Sequence, residues 1–135
     1  MPPPRDVAES PHKCHRGLRR LVTAFFFSLS GLALAFRHES AFRQEIALAA
    51  VLLPTALLLP VAPAEQVLLA GSVLLVLVVE LLNSSVEAAI DRISFDHHSL
   101  SKRAKDIGSA AVFVSLALCV AVWAIVLAPL VAARL

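Results

Sequence analysis

Val67-Leu-Leu-Ala-Gly-Ser-Val-Leu-Leu-Val-Leu-Val-Val79 runs without a charge into Glu80-Leu-Leu-Asn83-Ser84-Ser-Val-Glu87-Ala-Ala-Ile-Asp91-Arg92. The first half is long and apolar enough to enter a membrane. The second half places an acid at its inner end. A charged side chain at a bilayer centre costs about 2.5–3.5 kcal/mol by insertion scales. That cost is usually tolerated only where the group does chemistry or carries ions. At about 100° per residue on a helix, Glu87 and Asp91 fall about 20° to either side of Glu80. Asn83 and Ser84 flank the same stripe, while Leu81, Leu82, Val86 and Ile90 face elsewhere. The rise of about 1.5 Å per residue separates Glu80 from Glu87 by about 10 Å. That spacing is too long for one shared proton, but suits a base at one level and a cation ligand two turns away.

The rest of the composition agrees with a small membrane protein. Of 135 residues, 59% are hydrophobic and the mean hydropathy is +0.81. A soluble domain has about 45–50% apolar residues. Four glycines and no tyrosine speak against a β-barrel with its aromatic girdles. The abundance of Ala, Leu and Val fits an all-α fold. Cys14 and Cys119 show no metal-binding spacing, and Cys119 reads as a small packing residue.

Residues 1–17 form a Pro- and charge-rich basic tail expected to be disordered. A single membrane-embedded domain over 18–135 is expected to follow. Its firm spans are Glu45–Ala62, Gln66–Ile93 and Asp106–Ala133, each near the ~20 residues a bilayer requires. A turn is expected at Pro63-Ala-Glu65, and polar linkers at Arg37–Gln44 and Ser94–Lys105. Seven of the twelve Lys/Arg precede the first span, and four more lie around the loop between the second and third. Three spans then put eleven of twelve on one side, which the positive-inside rule makes cytoplasmic. The N-terminus and the ends of the acidic stripe share that side. Leu18–Phe36 reads either as a signal peptide, given Ala33-Leu-Ala35, or as an amphipathic helix on the cytoplasmic surface. The surface helix is favoured, because cleavage would leave Arg37 and Arg43 outside. Trp123 is expected to face lipid or the interface.

The acidic block, the later Leu100-Ser-Lys-Arg-Ala-Lys105-Asp106-Ile-Gly-Ser109-Ala-Ala-Val112, and Glu39-Ser-Ala-Phe-Arg-Gln-Glu45 resemble, in order and spacing, the prokaryotic diacylglycerol kinase family. The resemblance spans about residues 17–130. It implies a homotrimer of three-span subunits with an N-terminal amphipathic helix, in the bacterial inner membrane. It also implies transfer of the γ-phosphate of MgATP to a lipid hydroxyl. The chain has neither a G-x-x-x-x-G-K-[ST] loop nor a kinase Gly-rich loop, so composition alone does not indicate a kinase.

Carried over by position, the resemblance makes Glu80 the general base and Glu39 and Glu87 the ligands of Mg²⁺ on the nucleotide. Lys105 and Asp106 become nucleotide contacts, with Lys105 on the phosphates. Asp96, His97 and His98 fall on the loop that embraces ATP, and Phe27 beside them in the ATP set. Arg20 falls between lipid and phosphates, Ser109 beside the lipid headgroup, and Asn83 and Asp91 in support. The family's aromatic-Ser-Trp-Lys-Gly-like run is Phe27-Ser-Leu-Ser-Gly31 here, and Phe27 and His97 stand where tyrosines are usual.

Physically the set is coherent. Phosphoryl transfer is mostly positioning and charge stabilisation, and one or two carboxylates plus phosphate oxygens commonly hold Mg²⁺. The acceptor implied is diacylglycerol. Undecaprenol, a cation-coupled transporter and a non-catalytic helical adaptor are the competing readings. The Lys-Arg-Ala-Lys-Asp-Ile-Gly-Ser block is closer to the diacylglycerol branch. Oligomerisation is expected because three thin helices do not enclose Glu80 by themselves.

Overall fold

The computed structural model describes residues 13–93 and 99–133. Among these, all regular structure is helical: α1 (Lys13–His38), α2 (Ser40–Leu58), α3 (Pro63–Ile93) and α4 (Ser99–Ala132). The chain divides into two units, Met1–Leu34 and Ala35–Leu135.

The first unit is the greater part of α1. Two of its hydroxyls are satisfied by the helix's own backbone. Thr23 Oγ1 donates to Arg19 O at 2.8 Å and Ser28 Oγ to Ala24 O at 2.9 Å. Back-bonding of this kind lets Ser and Thr sit in an apolar helix without an open donor. Phe25 and Phe26 meet edge to face at 6.0 Å between ring centroids. By length and composition Gly17–His38 could cross a membrane, as could α2, α3 and α4, giving four candidate spans where three were expected.

In the second unit, the expected polar linker Arg37–Gln44 shrinks to one extended residue. Glu39 adopts φ −103° and ψ 113° between α1 and α2. Arg43 explains how so short a break is stable. Its Nη1 donates to Phe36 O at 3.1 Å and Arg37 O at 3.2 Å, capping carbonyls that a helix end leaves open.

The bend between α2 and α3 lies at Leu59–Ala62, and Pro63, expected in the turn, instead opens α3. A proline at the first helical position loses only an N–H that has no helical partner. Glu65 reaches back and accepts from Ala62 N at 2.9 Å, in the manner of a capping box. Gln66 Nε2 donates to Leu57 O and Leu59 O, both at 3.1 Å, closing the other side of the bend. Pro54 lies inside α2, where Thr55 Oγ1 bonds Val51 O at 2.8 Å.

α3 is the central helix, packed against α2 on one side and α4 on the other. Phe42, Ala49 and Ala56, spaced by seven, are the buried residues of α2. Ala49 packs with Val73 and Val76 of α3 and Ala56 with Leu69, while Ser72 and Glu80 are buried on α3 at the same helical spacing. Ser115, Cys119 and Val126 supply the face of α4. Cys119 is buried as expected and receives Ser72 Oγ at 3.5 Å. Trp123 differs from its expected lipid-facing position. It packs against both core clusters, with Nε1 buried and unpaired. An indole is large enough to bridge the layer around Val76 and the layer around Leu69, and that contact outweighs its donor. Outside this seam the large apolar side chains of α2–α4, such as Val51, Leu58, Val67, Val78, Phe113 and Ile125, are exposed. Lipid covers such surface at no cost.

Candidate active site

α3 has 31 residues, about 46 Å of helix against about 30 Å of hydrocarbon. The same helix therefore supplies the apolar seam and carries the acidic stripe toward the polar boundary. Glu80 stands at the junction and is 4% exposed within a single chain. This corrects the expectation that one subunit leaves it open. α3 lies between two helices, and its seam of 69, 72, 73, 76 and 80 is continuous, so Glu80 inherits the burial of the apolar residues beneath it. Leu82 and Val86, expected on another face, are exposed.

Glu39 and Glu87 both lie close enough to Glu80 for their charges to act on it. The sequence-derived trio of a buried carboxylate with two partners is thus gathered within one chain. Asn83 donates Nδ2 to Glu87 Oε1 at 3.1 Å, fixing the rotamer of that carboxylate. One turn further, Lys105 Nζ meets Asp91 Oδ1 at 2.6 Å. This ion pair ties the end of α3 to the start of α4. Asp106 and Ser109 are exposed on the same first turns of α4. Arg20 and Phe27 lie in the first unit, on α1. Asp96, His97 and His98 lie outside the described residues.

Among the described residues no three His, Cys, Asp or Glu side chains form a ready-made metal cage. The donor set suits Mg²⁺ nevertheless, because that ion commonly takes one or two carboxylates and completes its shell with phosphate and water. Glu39 at the start of α2 and Glu87 in the last two turns of α3, with Glu80 held deeper, fit that pattern.

One acid was missed by sequence reasoning. Glu45 lies near Glu80, and its Oε2 is buried without a hydrogen-bond partner. It borders a small apolar cavity of about 30 Å³ among α2, α3 and α4, next to Ala49, Val73, Val76 and Cys119. The signal was present: Glu45 closes the Glu39–Glu45 block and stands at the head of an apolar run, as Glu80 stands at the foot of one. In the sequence it reads as the start of a span and the end of that block, with no role assigned to its carboxylate.

The profile of the prokaryotic diacylglycerol kinase family matches residues 26–127, which contain every described candidate except Arg20. The chain belongs to the prokaryotic diacylglycerol kinase family. It is 49% identical over 121 residues to the diacylglycerol kinase of Pseudomonas aeruginosa, covering 90% of this chain and 98% of that protein. It is 47% identical over 107 residues to that of Haemophilus influenzae, with coverage of 79% and 91%. Against that of Escherichia coli K12 it is 44% identical over 111 residues, with coverage of 82% and 91%. As a member of this kinase family the chain is an enzyme, and its apolar helices make it a transmembrane one.

Proposed function

We propose that this kinase transfers the γ-phosphoryl group of ATP directly to the primary hydroxyl of diacylglycerol within the membrane, giving phosphatidic acid and ADP. The observation that carries this reading is Glu80, a carboxylate 4% exposed at the foot of an apolar seam, with Glu39 and Glu87 near enough for their charges to act on it. Glu80 accepts the hydroxyl proton as the lipid oxygen forms its bond to the γ-phosphorus. The bond from that phosphorus to the β–γ bridging oxygen breaks, and the electron pair leaves with ADP. General-base assistance of this kind contributes about 10²–10⁴-fold.

Glu39 and Glu87 would hold Mg²⁺, which when bound neutralises charge on the β- and γ-phosphates. Lys105 and Asp106 contact the nucleotide, with Lys105 on the phosphates. Asp91 orients Lys105, a role supported by their ion pair. Asp96, His97, His98 and Phe27 belong to the nucleotide side by the resemblance, while Arg20 and Ser109 belong to the lipid side. α1 lies as an amphipathic helix on the cytoplasmic face rather than across the bilayer, since its basic residues then stay on the side of Lys102, Arg103 and Lys105. The working form is a homotrimer in the bacterial inner membrane, with the N-terminus in the cytoplasm.

The test is purified protein in detergent micelles with γ-labelled ATP, offered diacylglycerol and undecaprenol side by side. Label in phosphatidic acid that depends on added Mg²⁺ is expected. Label only in undecaprenyl phosphate, or in neither lipid, overturns the assignment.

A further inference from the structure

Gly108 lies about two and a half turns into α4, opposite Asn83 of α3. A Cβ built on it would overlap Asn83 Oδ1 and approach Asn83 Cγ to 3.3 Å. The colliding atoms belong to a short side chain whose other end is engaged, because Nδ2 donates to Glu87 Oε1 at 3.1 Å. Asn83 Oδ1 is buried and has no conventional donor. It lies instead along the α-hydrogen of Gly108 that a side chain would replace, the arrangement of a weak Cα–H···O contact. The other three glycines, Gly17, Gly31 and Gly71, have nothing within 4 Å of such a Cβ. Helix propensity favours alanine over glycine at an interior position, so the absence of a side chain at 108 has to be explained by contact.

We infer that Gly108 is a positioning residue for the Mg-nucleotide: its bare backbone seats Asn83, and Asn83 sets the direction of the Glu87 carboxylate. The inference rests on Glu87 being a ligand, as proposed above. A residue that orients a metal-ligating carboxylate typically changes metal affinity about 10–100-fold when lost. Gly108→Ala pushes Asn83 off its seat, frees Glu87 Oε1 and misdirects that oxygen. None of Gly108, Asn83 and Glu87 is assigned to the acceptor lipid, so the loss is expected in nucleotide binding.

The test measures binding of Mn²⁺-ATP to the full-length protein in micelles by electron paramagnetic resonance, without lipid substrate, for Gly108→Ala, Asn83→Ala, Glu87→Gln and the Gly108→Ala/Asn83→Ala pair. Gly108→Ala and Asn83→Ala are each expected to weaken binding about 10-fold. The double variant is expected to be no weaker than Asn83→Ala alone, because with Asn83 truncated the added methyl has nothing to displace. That non-additivity is a signature that general damage to α4 does not produce. Unchanged binding in Gly108→Ala beside weakened binding in Glu87→Gln overturns the positioning role and leaves the ligand assignment standing. Unchanged binding in Glu87→Gln removes the ligand assignment itself, and Gly108 with it. Additive losses in the double variant also overturn the inference, since they mean that Gly108 acts independently of Asn83.

Discussion

Buried Glu80 and half-buried Glu45 sit near one another, and they cost the fold differently. Glu80 is the proposed base. Glu80→Gln keeps its shape and hydrogen-bonding capacity but removes the proton acceptor. Turnover is expected to fall about 10²-fold or more, while binding of Mg-nucleotide is retained. Comparing kcat with an independent nucleotide-binding measurement checks this. Normal turnover would mean that another group takes the proton. Glu45 carries a buried oxygen with no partner and borders an apolar cavity, close to a second carboxylate. An unsatisfied buried polar group costs about 1–3 kcal/mol. Glu45→Leu is therefore expected to raise the thermal midpoint in detergent, as read by loss of helical circular dichroism on heating. A lowered midpoint would show that Glu45 has a stabilising partner in the assembled protein. The sequence made Glu80 visible because an uninterrupted apolar run precedes it. Glu45 was hidden because its run begins only after it, and a charge at the start of a span has an innocent explanation at the interface.

At the scale of elements, the α2–α3 seam depends on small residues. Ala49 and Ala56 are 3% and 0% exposed, one heptad apart, and Ala56 packs in one cluster with Leu69 and Val126. Side chains of this size let two membrane helices approach closely. Ala56→Leu adds volume where there is none to fill. A loss of about 1–3 kcal/mol is expected, read as a lower thermal midpoint; an unchanged midpoint would mean that the helices can separate at no cost there. The link from α3 to α4 is of another kind. The Asp91–Lys105 pair is solvent-accessible on both sides, and exposed pairs are worth about 0–1 kcal/mol. Asp91→Asn should thus leave the thermal midpoint almost unmoved. Lys105→Met should raise the KM for MgATP while being equally mild in stability. A large stability loss in either variant would make the pair a structural clamp. The helices themselves were legible from hydropathy, but their ends were less so. Pro63 looked like a turn residue and Arg37–Gln44 like a linker. A first-position proline and the long reach of Arg43 to two carbonyls are local chemistry that periodicity does not register.

At the scale of the whole molecule, one chain already brings the candidate base, its two carboxylate partners and the Asp91-bound Lys105 to one end of α3. The sequence pointed to this grouping through the stripe on α3 and through the block resemblance. It misjudged the enclosure of Glu80, because burial depends on how tightly α2 and α4 close on α3, and spacing along one helix carries no such information. This has a consequence for an oligomer. Glu80 and Glu87 are on the same helix, and Lys105 is tied to that helix by Asp91. Mixed oligomers of Glu80→Gln and Lys105→Met subunits should therefore contain no site with both residues intact, whatever the number of subunits. Co-reconstituting the two inactive proteins after exchange in detergent, then assaying labelled phosphatidic acid, is expected to give no more activity than the separate variants. Recovery well above that level would mean that Lys105 serves the α3 of a neighbour, and that the ion pair within one chain marks the resting arrangement rather than the one that turns over.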